Sequence, residues 1–172
     1  MRISMHGILR PVWIKTLSSK TVVGLATLFV GERVVAPGTV GSGLGLLWYI
    51  LFFYGDNFSW FLLKVIVSVY VAIVICGEAE LRLKKKDPAG VILDEMVAMP
   101  VCFVTSDALQ PRFKMWMILL GGFLFFRFFD IVKPLGIKKL QNFNGGIGIV
   151  IDDLIAAVYT AISLFIASRL LS

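Results

Sequence analysis

The chain has 172 residues, of which 58% are hydrophobic and only 16% are charged, and its formal net charge is +6. Soluble domains are usually about 45–50% apolar, so the composition favours a membrane protein and argues against a nucleic-acid-binding surface. The length fits one domain. The two cysteines, Cys76 and Cys102, form no CxxC pair, so neither a zinc site nor a disulfide framework is indicated.

In chain order, a basic N-terminal segment (residues 1–35) comes first and does not resemble a signal peptide. Five apolar segments follow, at roughly 44–55, 58–76, 91–104, 115–132 and 147–170. The second nearly crosses the ~30 Å hydrocarbon core of a bilayer at ~1.5 Å per residue, and the last is longer. The third is short and carries Asp94, Glu95 and Pro100, so it is a partial span, a kinked helix or a buried helix. We predict an all-α polytopic membrane bundle of about four to five helices; the alternative is a soluble helical bundle.

Charge distribution suggests how the segments thread through the membrane. With "RLKKKD" (82–87) on the cytoplasmic side, 13 of the 17 basic residues lie on that side. The outer side keeps Lys64, which can extend to the interface, Arg112, Lys114 and Arg169. The same threading brings seven of the eleven acidic residues to the cytoplasmic face, namely Glu80, Asp87, Asp94, Glu95, Asp130, Asp152 and Asp153. We therefore expect the adjacent Asp152 and Asp153 to lie near the interface, and not at the bilayer centre, where a charge costs roughly 2.5 kcal/mol or more.

Such a carboxylate cluster predicts cation or proton binding. Crowded carboxylates stay ionised only when a cation lies among them, and otherwise some bind protons. Oxygen ligands favour a hard cation, Mg²⁺ or Ca²⁺. Arg127 and Lys133 flank Asp130 at i, i+3 and i+6 of one expected helix and would hold a phosphate beside that cation, although Arg127 and Asp130 also fit a simple intrahelical pair. Asp87 before Pro88 fits either a helix N-cap or a ligand, and as a ligand it would share a helix face with Asp94.

Two glycine-rich segments, "PGTVGSGLG" (37–45) and "FNGGIGI" (143–149), precede apolar helices. Backbone N–H groups at such helix starts bind phosphate, and the hydroxyls of Thr39 and Ser42 can assist them. The spacing of Gly41 and Gly45 also fits close packing of membrane helices. The two roles are compatible, and the sequence favours neither.

Other phosphatase mechanisms find little support. The only histidine is His6, near the N-terminus, so a histidine-based phosphatase is not indicated. A Cys-x5-Arg match runs from Cys76 to Arg82, but it contains Glu78 and Glu80 and continues an apolar helix. What remains is metal-activated water attacking a phosphomonoester. The main alternative function is a small membrane cation or proton carrier that uses the carboxylates.

Four segments together resemble the phosphatidylglycerophosphatase A family: "APGTVGSGLG" (36–45), "GEAELRLKKKDPAGVILDEMV" (77–97), "FRFFDIVKPLGI" (126–137) and "NGGIGIVIDDLIA" (144–156). Asn144 departs from the pattern, since some members have His there. The resemblance implies a Mg²⁺-dependent enzyme of the bacterial cytoplasmic membrane, with its active site facing the cytoplasm. It would convert phosphatidylglycerophosphate to phosphatidylglycerol in phosphatidylglycerol and cardiolipin synthesis. Residues 36–172 would form this domain after the segment 1–35.

The charge pattern and the resemblance together define a predicted site. The catalytic candidates are Asp94, Glu95, Asp130, Asp152 and Asp153. The same five residues and Glu80 are the predicted ligands of Mg²⁺. The predicted substrate-binding residues are Thr39, Ser42, Arg127, Lys133, Gly145 and Gly146. The expected partner is a membrane phospholipid, with no nucleic acid, and no feature of the sequence supports an oligomer.

Overall fold

The computed structural model describes residues 10–134 and 145–171, and these residues form helices without any strand. The helices are α1 (Val12–Thr16), α2 (Ser19–Ala26), α3 (Pro37–Phe52), α4 (Phe58–Leu83), α5 (Leu93–Ala98), α6 (Ser106–Leu109), α7 (Met115–Val132) and α8 (Gly146–Leu170). Two 3-10 turns, Gly31–Arg33 and Met99–Phe103, join them. The predicted all-α fold is confirmed. His6 and Asn144, and the predicted cytoplasmic residues Arg2, Lys138 and Lys139, lie outside the described ranges.

Three helices, α4, α7 and α8, are long and apolar enough to cross a membrane, and α3 is a shorter apolar helix. Their outer faces carry exposed apolar side chains such as Ile66, Leu124 and Ile162, which suits contact with lipid. The α8 helix lies centrally, since it packs against α4, α5 and α7. The predicted polytopic membrane bundle is therefore confirmed.

The third apolar segment is a buried connection. It consists of the six-residue α5 and the 3-10 turn Met99–Phe103, because Pro100 has no N–H for a continuing α-helix. Met99 and Phe103 are almost fully buried. The Tyr49 hydroxyl near the end of α3 lies 3.0 Å from the Ser106 hydroxyl, so this segment leads away from the start of α3 toward its end. Of the three predicted alternatives, the buried one is correct.

Five helix ends meet at one end of the bundle, which we call the site end: the starts of α3, α5 and α8, and the ends of α4 and α7. Arg127 of α7 lies 3.4 Å from the Ser42 hydroxyl of α3 and 3.5 Å from a carboxylate oxygen of Glu95 of α5. Lys133, directly after α7, donates to Asp152 of α8 at 2.5 Å. The predicted convergence of these acidic and basic residues is confirmed in geometry, while the side of the membrane on which they lie stays a prediction.

Two local predictions are wrong. Asp87 does not cap a helix, and it shares no helix with Asp94, because residues 84–92 form a loop and α5 begins only at Leu93. Asp87 instead adopts a left-handed backbone with φ of 46°. Lys133 is not helical either: α7 ends at Val132, and Lys133 follows it with φ of 46°. Both residues therefore lie in the turns that follow the ends of α4 and α7.

The N-terminal segment is joined to α4 by an ion-pair network around the buried Glu78, which the sequence did not suggest. Glu78 is 2% exposed and accepts two hydrogen bonds from Arg10, at 2.6 and 2.7 Å. Arg82 bonds Glu78 at 2.8 Å and also donates to the carbonyl oxygens of Ile14 and Leu17. With Arg82 thus engaged and Glu78 inside a regular helix, the Cys-x5-Arg match forms no anion-binding loop.

Candidate active site

The five predicted catalytic carboxylates come together at the site end. Asp94 and Glu95 occupy the first turn of α5, Asp130 lies near the end of α7, and Asp152 and Asp153 lie in the second turn of α8. Asp94, Asp152 and Asp153 are only 4–6% exposed. Asp153 interacts electrostatically with the other four carboxylates: Asp94, Glu95, Asp130 and Asp152. This grouping of charges from three helices matches the prediction.

Arg127 is the central cation of this cluster. Its Nη1 atom lies 2.7 Å from Oδ2 of Asp130 and 3.5 Å from Oε1 of Glu95. The same atom lies 3.4 Å from the Ser42 hydroxyl. The simple intrahelical pair with Asp130 is therefore present, but Arg127 also joins α7 to α3 and α5. A guanidinium in this position can bind an incoming phosphate oxygen as it now binds carboxylates.

Lys133 supplies the second positive charge. Its Nζ lies 2.5 Å from Oδ2 of Asp152 and 3.9 Å from Oδ1 of Asp130. Burial alone would lower the pKa of Lys133, but the hydrogen bond to Asp152 and the nearby carboxylate charges outweigh it, so the pKa is raised. The side chain thus remains charged at neutral pH and can attract an anion.

The glycines of α3 allow the helix to approach α5 and Arg127 closely. A Cβ on Gly38 would overlap both the Glu95 carboxylate and the Arg127 guanidinium, and one on Gly41 would overlap Glu95 as well. A Cβ on Gly45 would likewise overlap the Met99 side chain. The predicted packing role of the glycine spacing is confirmed. Gly38 was missed in the sequence, although its i, i+3, i+7 spacing with Gly41 and Gly45 is the pattern of one helix face.

The two hydroxyls of this segment differ in position. Ser42 is fully buried and donates to the Gly38 carbonyl oxygen at 2.7 Å, so its oxygen is held beside Arg127. Thr39 is exposed at the first turn of α3. The structure thus brings Ser42 into the cluster, while a contact between Thr39 and a substrate stays a prediction.

The start of α8 also depends on glycine. Gly145 precedes the helix with φ of 79°, a left-handed conformation that side chains disfavour. A Cβ on Gly146 would overlap the Ile73 carbonyl oxygen of α4 and approach the Gly77 nitrogen. Both glycines therefore fix where α8, and with it the Asp152–Asp153 pair, begins. Phosphate binding by their N–H groups stays a prediction.

Glu80, predicted as a further metal ligand, is half-buried near the end of α4. It lies one helical turn after the buried Cys76, which interacts with Asp94 and Asp153. This position is compatible with the edge of the cluster, and ligation by Glu80 stays a prediction. Asp87, from the loop after α4, interacts electrostatically with Asp152, Lys133 and Asp130.

The donor set suits a hard cation chemically, because carboxylate oxygens are the preferred ligands of Mg²⁺. Within the described ranges, Oδ1 of Asp94 and Oε2 of Glu95 are buried without a hydrogen-bond partner. Burial, and then the charge of Asp130, raise the pKa of Glu95, which lies outside the three spanning helices, to about 8. Among residues 10–134 and 145–171, however, no three His, Cys, Asp or Glu side chains are grouped so as to hold a metal ion. Cation binding would therefore require these carboxylate side chains to rearrange, and it stays a prediction.

The sequence of this chain is similar to those of known phosphatases. The family model of phosphatidylglycerophosphatase A matches residues 23–168. A putative phosphatidylinositol-3-phosphatase of Bacteroides thetaiotaomicron is 33% identical over 135 residues, which cover 77% of this chain and 83% of that protein. Phosphatidylglycerophosphatase A of Haemophilus influenzae is 28% identical over 158 residues (88% and 92% of the two chains), and that of Escherichia coli is 29% identical over 133 residues (76% and 73%). No solved structure matches. The chain therefore belongs to the phosphatidylglycerophosphatase A family and is a phosphatase.

Proposed function

We propose that this protein removes the terminal phosphate of phosphatidylglycerophosphate in the synthesis of phosphatidylglycerol and cardiolipin. One observation carries the proposal: Arg127 and Lys133 lie among five carboxylates, three of them buried, at one end of a membrane bundle. Such a charged cluster is costly beside lipid, so its presence in a membrane bundle points to a functional site. The two relatives named phosphatidylglycerophosphatase A support the choice of substrate.

Phosphate binding falls to the two cations. Arg127 presents a planar fork of N–H donors, which matches two oxygens of a phosphate. Lys133, after the end of α7, would hold a further oxygen. Both cations now lie on carboxylates, so an arriving phosphate competes with Asp130 and Asp152 for them. The Ser42 hydroxyl, held by the Gly38 carbonyl, would position the Arg127 fork.

Mg²⁺ is the proposed cofactor. Asp94, Glu95, Asp152 and Asp153 would hold it, with Asp130 and the predicted Glu80 at its edge, and the unpaired oxygens of Asp94 and Glu95 support this assignment. When bound, the ion supplies positive charge to the phosphate oxygens and lowers the pKa of a neighbouring water. It would also replace protons that the crowded carboxylates otherwise bind.

The reaction consumes one water. A carboxylate of the cluster accepts a proton from the attacking water, whose oxygen forms a bond to phosphorus. The bond between phosphorus and the glycerol oxygen breaks, and that oxygen takes up a proton. The products are phosphatidylglycerol and inorganic phosphate. Arg127 and Lys133 stabilise the charge on the phosphate oxygens throughout.

The site end is proposed to face the cytoplasm. Ten of the thirteen basic residues that the sequence assigns to the cytoplasmic side are described, and they include the exposed run Lys84, Lys85 and Lys86 after α4. At the opposite end, Lys64 bonds Asp56 at 2.7 Å and the Phe52 carbonyl oxygen. Basic residues favour the cytoplasmic side. The bacterial relatives are consistent with a bacterial cytoplasmic membrane.

A phosphate-release panel tests the function. The purified protein in detergent is given phosphatidylglycerophosphate, phosphatidylinositol 3-phosphate or glycerol 3-phosphate, each with Mg²⁺ or with a chelator. We expect the fastest release from phosphatidylglycerophosphate, and only with Mg²⁺. The second lipid is included because one relative is named for it; its preferred hydrolysis would replace the proposed substrate. No release from any of the three would instead favour a cation carrier.

A further inference from the structure

The described part of the N-terminal segment, residues 10–35, exposes apolar side chains although its helices, of five and eight residues, are too short to span a membrane. Val12 is 76% exposed, Phe29 is 64% exposed and Val35 is fully exposed. Trp13 and Val30 are also exposed. In water such a collection of apolar surface is unfavourable and marks an interaction site. Tryptophan and phenylalanine are typical of segments at the membrane–water interface.

The backbone holds Phe29 in this outward position. Leu28 and Phe29 adopt consecutive left-handed conformations, with φ of 48° and 61°, which non-glycine residues rarely adopt. The Phe29 N–H donates to the Gly24 carbonyl at 2.8 Å. The ring lies over Gly24, where a Cβ would overlap it. A strained turn that keeps a large apolar side chain exposed is expected where that side chain has a partner.

The segment is also positively charged. Lys15, Lys20 and Arg33 are exposed, and Glu32 is the single acidic residue between positions 10 and 35. The exposed lysine run at 84–86 follows the end of α4, the helix on which α2 packs. Positive charge of this kind is complementary to anionic phospholipid headgroups.

The segment is fixed to a helix that spans the membrane. Arg10 binds the buried Glu78 of α4. Arg82 of the last turn of α4 binds Glu78 and also the Ile14 carbonyl oxygen of α1. Val22 and Ala26 of α2 are buried in one core with Ala72 and Cys76 of α4. The segment is therefore continuous with the bundle and lies beside the site end. Its height in the membrane is set by α4.

We infer that residues 10–35 lie on the membrane surface at the site end and bind anionic phospholipid headgroups there. The apolar side chains enter the boundary between headgroups and acyl chains, and the cations contact the lipid phosphates. The family model begins only at residue 23, so α1 and the first half of α2 are outside the family match. The inference holds whichever phosphoester the enzyme hydrolyses.

Fluorescence quenching tests this position. A single cysteine at Phe29 or Val35, in a Cys76→Ala, Cys102→Ala background, carries an environment-sensitive dye in bilayers of phosphatidylcholine with phosphatidylglycerol. Val35 is fully exposed, so its replacement does not disturb packing. The Val35→Cys variant therefore still tests the position if Phe29→Cys fails to fold. Ile66→Cys, exposed on α4, is the control inside the bilayer. Spin labels are placed either near the headgroup or near the acyl-chain end of the lipid.

We expect headgroup-proximal labels to quench Phe29 and Val35 more strongly than chain-end labels, with the opposite order at Ile66. Labelled phosphatidylglycerol should quench more than labelled phosphatidylcholine, and the combined change Lys15→Gln, Lys20→Gln, Arg33→Gln should reduce that difference. Quenching by aqueous iodide alone would overturn the surface location. Equal quenching by the two lipids would overturn the binding of anionic headgroups. Both readouts are independent of phosphatase activity.

Discussion

Replacement of Arg127 by Gln should reduce phosphatase activity steeply. The guanidinium lies 2.7 Å from Asp130 and 3.5 Å from Glu95. An arginine fork can donate two charge-assisted hydrogen bonds to a phosphate, and we take two as the number lost. Each such bond contributes about 1.5–3 kcal/mol. Loss of two, about 3–6 kcal/mol, corresponds to a decrease of roughly 10²–10⁴ in kcat/KM at ~1.4 kcal/mol per tenfold. Arg127→Lys keeps the charge but loses the fork, and we expect it to recover about half of that free energy.

The assay is the initial rate of phosphate release from phosphatidylglycerophosphate at saturating Mg²⁺, with the melting temperature in detergent measured alongside. Arg112→Gln is the matched control, because Arg112 is exposed in the loop before α7, away from the site end. It should retain wild-type activity. If folded Arg127→Gln stays within about threefold of the wild type in kcat/KM, Arg127 does not bind the phosphate and the assignment is wrong.

Three further outcomes are expected. Gly146→Ala should lower the melting temperature, because its Cβ would overlap α4. A Cβ on Gly43 has nothing within 4 Å, so Gly43→Ala should keep the stability or raise it by up to about 1 kcal/mol. Equal melting temperatures of the two variants would contradict the close packing at Gly146. Glu78→Gln should destabilise the fold, but by less than the about 3–5 kcal/mol of a fully buried pair, because the Arg10 side chain is 41% exposed. An unchanged melting temperature would show that this ion pair does not stabilise the fold. Single cysteines at Lys85 and Asn57 should react with a membrane-impermeant reagent from opposite sides of intact cells, and reaction of both from outside would refute the topology.

The helices and their convergence were predictable because the lengths of the apolar segments and the positions of the charged residues can both be read directly from the sequence. Segments 115–132 and 147–170 match α7 and α8 closely, whereas segment 58–76 stops short of the end of α4 at Leu83. Asp152 and Asp153 stand out because carboxylates are rare in such apolar helices. The acidic residues that lie near them are identified once the segments are arranged to cross the membrane in alternating directions.

Local backbone detail was less accessible. "DPAG" has the N-cap and proline of a helix start, yet the chain stays irregular until Leu93, where Ile92 is anchored by a hydrogen bond to the Ala26 carbonyl. That contact joins residues far apart in sequence and overrides the local signal. The Arg10–Glu78 pair was invisible for the same reason. A glutamate within "GEAELR" gives no sign of an arginine partner 68 residues away.

The central claim is that the buried carboxylates form the active site of a lipid phosphatase, and Asp153→Asn tests it most directly. The change keeps the size of a side chain that is 4% exposed and removes its charge. The rate of phosphate release is measured across a Mg²⁺ titration, with Asp107→Asn, exposed in α6, as the control. We expect Asp153→Asn to lose about a hundredfold or more in turnover, roughly 2.7 kcal/mol or more, with a raised Mg²⁺ midpoint and a wild-type control. Normal turnover at an unchanged Mg²⁺ midpoint in folded Asp153→Asn would contradict the claim.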